Sequence, residues 1–174
     1  VYNGREPRIA WLGDPDHPRS WFARSRARVA TGLSLTAPGI PMLFMGQEWG
    51  QPGEWNHDVE LPWAQLQDPR HAGMQRWVRD LNRLYSNEPA LHRLDCDGAG
   101  FEWIDAQDRD QSIFSWVRRD GAGRSVVVVC NMTPVPRLGF RLGLPQAEGQ
   151  QGGGWSEVLN SDSEYYGGSN LGNS

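Results

Sequence analysis

Residues 38–58 read PGIPMLFMGQEWGQPGEWNHD. Pro38-Gly39 must end any helix that precedes it. A short apolar run follows, Met42-Leu43-Phe44-Met45, with no polar alternation. Such a run is expected to be buried on both faces, as a central parallel strand is. Gly46 closes it. Beyond stand Gln47, Glu48, Trp49, Glu54, Trp55, Asn56, His57 and Asp58, hydrogen-bonding groups interleaved with indoles. Polar groups just past the carboxyl end of a buried parallel strand are where α/β barrels build their binding sites. The stretch predicts a strand over 42–45 and a long ligand-facing loop over 46–67.

Upstream, 1–19 is rich in Pro, Gly, Asp and Arg. It predicts a loop with turns at Gly13-Asp14-Pro15 and Asp16-His17-Pro18. Ser20 is placed to cap a helix running to about Thr36. Phe22, Val29 and Leu33 are expected on one face, with Ala23, Ala27 and Ala30 as a strip of small residues beside it that would let the helix lie close to a sheet. Downstream, Asp68 caps a second helix with Pro69 at its first position. Met74, Trp77, Val78, Leu81, Leu84 and Tyr85 keep helical spacing and predict a buried stripe, so Trp77 reads as core. Pro89 ends this element.

From about Phe101 the period changes from helix to strand. Runs at 101–104, 113–117 and 125–130 are rich in aromatic and β-branched residues, and Asp120-Gly121-Ala122-Gly123 is a turn. Residues 140–142 and 155–159 are expected to add further strands. An α/β part is thus predicted to give way to an all-β part near 94–100.

Composition narrows the function classes. The chain has 174 residues and a net charge of −4. An acidic balance argues against a nucleic-acid partner. No apolar run approaches the ~20 residues that span a bilayer, so no membrane partner is expected. All 17 basic residues are Arg, which excludes Schiff-base or nucleophilic lysine chemistry within the chain. Two cysteines, Cys96 and Cys130, make neither a disulfide framework nor a metal pattern, and a reducing cytoplasm is the expected setting. Nine tryptophans are many for this length. Indoles fill cores, and they also stack on the C–H faces of sugar rings.

PMLFMGQEW followed by EWNHD resembles the eighth barrel strand and its loop in the glycogen (1,4-α-glucan) branching enzymes. These are members of the α-amylase superfamily, glycoside hydrolase family 13. The resemblance continues through MQRWVRDLNRLYSNEPALHRLD, GFEWID, VVVVCNMTPVPRLGFRLGLP and EVLNSDSEYYGGSN, over about residues 30–173. The opening REPRIAWLGDPDHPRSWFARSRARVATGL departs from the commonest bacterial members and resembles a divergent branch of the superfamily. The resemblance implies α/β plus all-β architecture. Residues 1–95 would be the last β/α portion of a TIM (β/α)8 barrel, and 96–174 a truncated C-terminal antiparallel β-sandwich. A complete barrel needs roughly 250 residues, so the rest of the barrel is expected upstream of Val1.

The resemblance implies an α-glucan partner: glycogen, amylose or maltodextrin. Its implied substrate-binding residues are Gln47, Glu48, Trp49, Trp55, Asn56, His57 and Asp58. Gln47 and Glu48 would contact sugar hydroxyls, Trp49 would be a wall, and Trp55 would stack on a glucose ring. The plainer alternatives are an ion pair from Glu48 to an Arg, and a locally capped loop in which Asp58 fixes the His57 tautomer. Retaining α-glucan chemistry needs two carboxylates about 5–5.5 Å apart. By resemblance these and a third Asp precede Val1, so no catalytic residue is assigned here. No metal site and no cofactor is expected. A single His in the loop lacks a second ligand at metal spacing, and Asp95-x-Asp97-Gly98 lacks the carboxylate at the twelfth position of a calcium loop. Asp105, Asp108 and Asp110 read as a solvated hairpin end. The implied activity is transfer of an α-1,4-glucan segment to a 6-hydroxyl, which makes an α-1,6 branch. The alternatives are an α-glucan hydrolase of the same superfamily and a non-catalytic carbohydrate-binding or structural module.

Overall fold

The computed structural model describes residues 13–17, 19–51, 56–144 and 154–172. Two helices, α1 (Trp21–Thr36) and α2 (Pro69–Asn87), precede three strands, β1 (Phe101–Asp108), β2 (Ile113–Arg119) and β3 (Ser125–Asn131). The chain divides into two compact units. One is built from Val1–Ser34, Pro41–Asn82 and Leu159–Ser174, the other from Leu35–Ile40 and Arg83–Val158.

Helix α1 starts where the sequence places it. The Ser20 hydroxyl oxygen accepts the Ala23 N–H at 3.0 Å and donates to Asp14 Oδ2 at 2.7 Å, which satisfies one of the orphan amides of the first turn. Ala23 of the small-residue strip is buried, but the Phe22, Val29 and Leu33 face is not. Ala23, Arg28, Thr31 and Leu35 are buried, whereas Phe22 is exposed, edge-on to Trp21. The reason is Arg28. Its Nε donates to the Ser161 carbonyl at 2.8 Å and its own carbonyl accepts the Trp77 indole N–H at 2.9 Å. A guanidinium with such partners is tolerated inside, and it turns the helix with it.

Helix α2 follows its sequence pattern. Asp68 accepts the Arg70 amide at 2.9 Å. Bonds from the Arg70 side chain and amide hold the Asp68 carboxyl well below the usual carboxylate range. Met74, Trp77, Val78 and Leu81 are buried as the spacing requires, and Gly73 joins them.

The apolar run 42–45 departs from expectation. Residues 42–44 are irregular and Met45 enters a turn, and the run is in no ladder, with Met42 83% and Met45 55% exposed. A strand exists only by its neighbours' hydrogen bonds, and among the described residues none lies beside it. The Phe44 amide bonds the Gln47 side-chain oxygen at 2.9 Å instead. Among the described residues, the barrel portion expected of 1–95 therefore shows the helices α1 and α2 but no parallel sheet.

In the second unit β1, β2 and β3 form an antiparallel meander in that order. Trp103, Trp116 and Val128 stand in register, as do Phe101, Arg118 and Val126, so they share one face. Val117, Val127 and Glu102 take the other, where Glu102 pairs with Arg119 at 2.7 Å. The β2–β3 turn is built by Asp120, whose carboxylate accepts the Ala122 and Arg124 amides at 2.7 and 2.9 Å. Gly121 and Gly123 both take positive φ there, 71° and 100°, which favours glycine. β1 runs further than the aromatic run suggested, so Asp105 and Asp108 lie within it and only Asp110 lies in the hairpin connection. Residues 140–142 and 155–159 form no strand. Phe140 closes a turn onto the Arg137 carbonyl at 3.2 Å, next to Gly139 at φ 68°, a backbone incompatible with a continuing ladder. The expected sandwich is thus represented, among the described residues, by one three-stranded sheet.

Candidate functional site

The loop after Met45 is shaped by two left-handed glycines. Gly46 (φ 83°) and Gly50 (φ 68°) bracket a single 3-10 turn, Gln47–Trp49. A Cβ on Gly46 would fall 2.8 Å from Gln51 Cβ, on a backbone that L side chains rarely adopt, so glycine is favoured where the chain doubles back. The Gln51 amide closes the turn on the Gly46 carbonyl at 2.9 Å.

Trp49 points inward and is 1% exposed. Its indole N–H donates to Gln65 Oε1 at 3.2 Å, and its carbonyl meets His71 Nδ1 at 2.7 Å. A carbonyl only accepts, so Nδ1 carries the proton. Trp63 packs on the Trp49 ring at 5.1 Å and leaves half its own surface in solvent. Trp49 therefore supports the loop from beneath, and Trp63 supplies the open indole. Gln47 and Glu48 are half-buried on the same turn.

Asn56, His57 and Asp58 are exposed. The Asn56 side chain accepts the Asp58 amide at 2.9 Å, which makes a local turn. His57 Nε2 lies 3.2 Å from Asp58 Oδ1, with both side chains about three-quarters exposed. This is the contact expected of a carboxylate that fixes a histidine tautomer. Trp55 lies outside the described residues. The structure thus brings Gln47, Glu48 and Trp49 together on one turn, and Asn56, His57 and Asp58 on another. Sequence reasoning missed His71, Gln65 and Trp63. His71, in the first turn of α2, had a signal in its place on the helix facing back along the chain; the other two had none.

Groups elsewhere are already engaged. Asp95 is bound by Arg118 and by the Tyr85 hydroxyl at 3.2 Å, and Asp97 accepts the Ala99 amide at 2.9 Å. Among the described residues no three His, Cys, Asp or Glu gather as a metal set. Burial pushes the Cys130 thiol up to about 11, which leaves it unreactive at neutral pH. No described helix is long and apolar enough to cross a membrane.

Residues 103–174 match the family of α-amylase C-terminal all-β domains. The chain is 54% identical over 153 residues to a 1,4-α-glucan branching enzyme of Paraburkholderia xenovorans, covering 88% of this chain and 20% of that protein. The chain is a relative of the 1,4-α-glucan branching enzymes. The enzyme of Pseudomonas putida matches at 54% and that of Ralstonia nicotianae at 50%, each over 88% of this chain and 20% of its own length. This branching-enzyme relative spans about a fifth of the length of the curated relatives it matches. The matched domain begins within β1, at Trp103, and takes in β2 and β3.

Proposed function

We propose that the chain is the C-terminal part of a 1,4-α-glucan branching enzyme, working in a reducing cytoplasm on glycogen-type α-glucans. The observation that carries this reading is the identity with named branching enzymes across 88% of the chain. In the whole protein the run 42–45 would be the last strand of the (β/α)8 barrel. Its exposed apolar side chains suit a segment whose ladder partners come from the remainder of such a barrel. The loop over 46–67 would then stand at the barrel's carboxyl end.

On this reading the two carboxylates of the retaining reaction, and a third Asp, belong to the remainder of the enzyme. One carboxylate would form the covalent glycosyl-enzyme and the other would act as acid and base. This chain's share would be binding and exclusion of water. Gln47 and Glu48 would reach sugar hydroxyls from the glycine-bracketed turn, and Asn56, His57 and Asp58 would do so from the exposed turn. Trp55 would be the stacking indole, and Trp49 would act from beneath by holding the turn. Excluding water favours transfer to a glucan hydroxyl over hydrolysis.

The test uses the purified 174-residue chain and the same chain joined to the remainder of a branching enzyme. Affinity electrophoresis through amylopectin should retard the chain alone. Only the joined protein should lower iodine absorbance without a matching rise in reducing ends. A matching rise in reducing ends would assign a hydrolase instead. Retardation with no reaction in the joined protein would leave a non-catalytic glucan-binding module.

A further inference from the structure

The polar loop of the first unit is fastened by a segment more than 90 residues further along the chain. Residues 159–172 form a compact loop organised by Asp162. Its carboxylate accepts the Ser169 amide at 3.0 Å, the Ser169 hydroxyl at 2.5 Å and the Leu171 amide at 3.1 Å, while its carbonyl accepts the Asn170 amide at 2.6 Å. Gly168 lies so close to Asp162 that a Cβ would be 2.1 Å from its carbonyl oxygen. The loop is therefore closed on itself by its own groups before it meets the helices.

It meets both helices at several points. Arg28 of α1 donates to the Ser161 carbonyl at 2.8 Å. From α2, Arg76 donates to the Tyr165 carbonyl at 2.8 Å and lies over the Tyr165 ring at 4.9 Å, and Arg79 donates to the Tyr165 hydroxyl at 2.9 Å. The Tyr166 hydroxyl donates to Asp80 at 3.0 Å, and its ring is edge-on to Trp77 at 5.1 Å. Gly73 admits the Tyr166 carbonyl against bare helix, where a Cβ would stand 2.8 Å away. Two residues before Gly73, the same helix carries His71, the residue that holds the Trp49 carbonyl.

We infer that segment 159–172 is a clasp that positions residues 46–51 and 56–67 by fixing the first three turns of α2, with Tyr166 and His71 as its two positioning residues. The inference rests on the proposed function only in taking that loop as the glucan-facing one. The physical link is the helix, which is stiff over the short span from His71 to Asp80. Fixing one end of that span fixes the direction of the other.

Amide hydrogen exchange on the full 174-residue chain tests it. Tyr166→Phe removes only the bond to Asp80, and Gly73→Ala pushes the clasp away while favouring the helix. Both should raise exchange several-fold at 159–172 and also at 46–51 and 56–67, with β2 and β3 unchanged. His71→Ala should raise it in the loop and leave 159–172 as it was. Loosening of 159–172 with an unchanged loop in the first two variants would overturn the inference. So would a uniform rise that includes the sheet, or an unchanged loop in His71→Ala. The readout needs no glucan, so a chain that fails to bind amylopectin would defeat the proposed function and leave the coupling standing.

Discussion

The guanidinium of Arg118 is fully buried and lies against the carboxylate of Asp95. The same group donates to the carbonyls of Thr36 at 2.9 Å, Leu91 at 3.0 Å and Gly100 at 3.3 Å. One side chain of β2 thus ties the end of α1 and the chain before β1 to the sheet. Trp116, two residues earlier on the same face, adds its indole N–H to the Thr36 carbonyl at 3.4 Å.

Arg118→Met is expected to destabilise the protein by about 3–5 kcal/mol in urea unfolding. An apolar replacement often rescues a buried ion pair, but here it takes the guanidinium from the Leu91 and Gly100 carbonyls, leaves Thr36 with only the long Trp116 bond and leaves Asp95 with only the Tyr85 hydroxyl. Asp95→Asn should cost clearly less, because the amide oxygen still accepts and the carbonyl bonds survive. Equal losses in the two variants would mean that the ion pair, not the carbonyl set, holds the sheet.

Trp77 and His57 should separate stability from binding. Trp77→Ala empties a buried site next to Gly32 and Tyr166 and is expected to cost ~3–5 kcal/mol, read as a lower melting temperature. His57→Ala, on an exposed turn, should shift stability by no more than about 0.5 kcal/mol. It should also reduce amylopectin retardation. Normal retardation in His57→Ala would remove the 56–58 turn from the glucan site.

Hydrogen exchange should separate the two apolar runs. β3 is in register with β2 along its whole length, so alternate β3 amides face β2, whereas the 42–45 run has no ladder among the described residues. The amides of Met42, Leu43 and Met45 should exchange at near-unprotected rates while the β3 amides that face β2 are slow. Strong protection at 42–45 in the isolated chain would show that the run finds a partner without a barrel.

Stability should also depend on pH through Tyr166 and Asp162. Burial first, and then the bond to Asp80, raise the Tyr166 hydroxyl to about 12. A raised pKa favours the neutral form, so its contribution is whole below the ordinary tyrosine value of about 10. It is lost as pH climbs towards about 12. For Asp162, burial pushes upward but is outweighed by the bonds from Ser169 and Leu171 and by Arg28, so its pKa is lowered. That contribution is whole above about 4 and is lost as pH falls through the lowered value. Melting temperature against pH should show both limbs. Tyr166→Phe should flatten the alkaline limb and Asp162→Asn the acid one. Unaltered limbs would assign the pH dependence to other groups.

Local chemistry was legible in the chain itself. Ser20 and Asp68 mark the helix starts because a side-chain oxygen satisfies orphan amides from within four residues. The Met74, Trp77, Val78 and Leu81 stripe, the Asp120–Gly123 turn and the three strands likewise depend on spacing within one element. The kinship with branching enzymes was readable for the same reason, since long strings of residues carry it. What the sequence left open were the relationships that join distant segments. Nothing near Arg28 in the chain announces that Ser161 will accept its proton, and so the buried face of α1 was left open. Trp49, read from the sequence as a wall of the glucan site, is held inward by Gln65 and His71, partners that its own stretch of chain does not announce. The run 42–45 has the composition of a buried strand, but burial is conferred by neighbours, and hydrogen-bond partners across tens of residues are decided only when the chain packs.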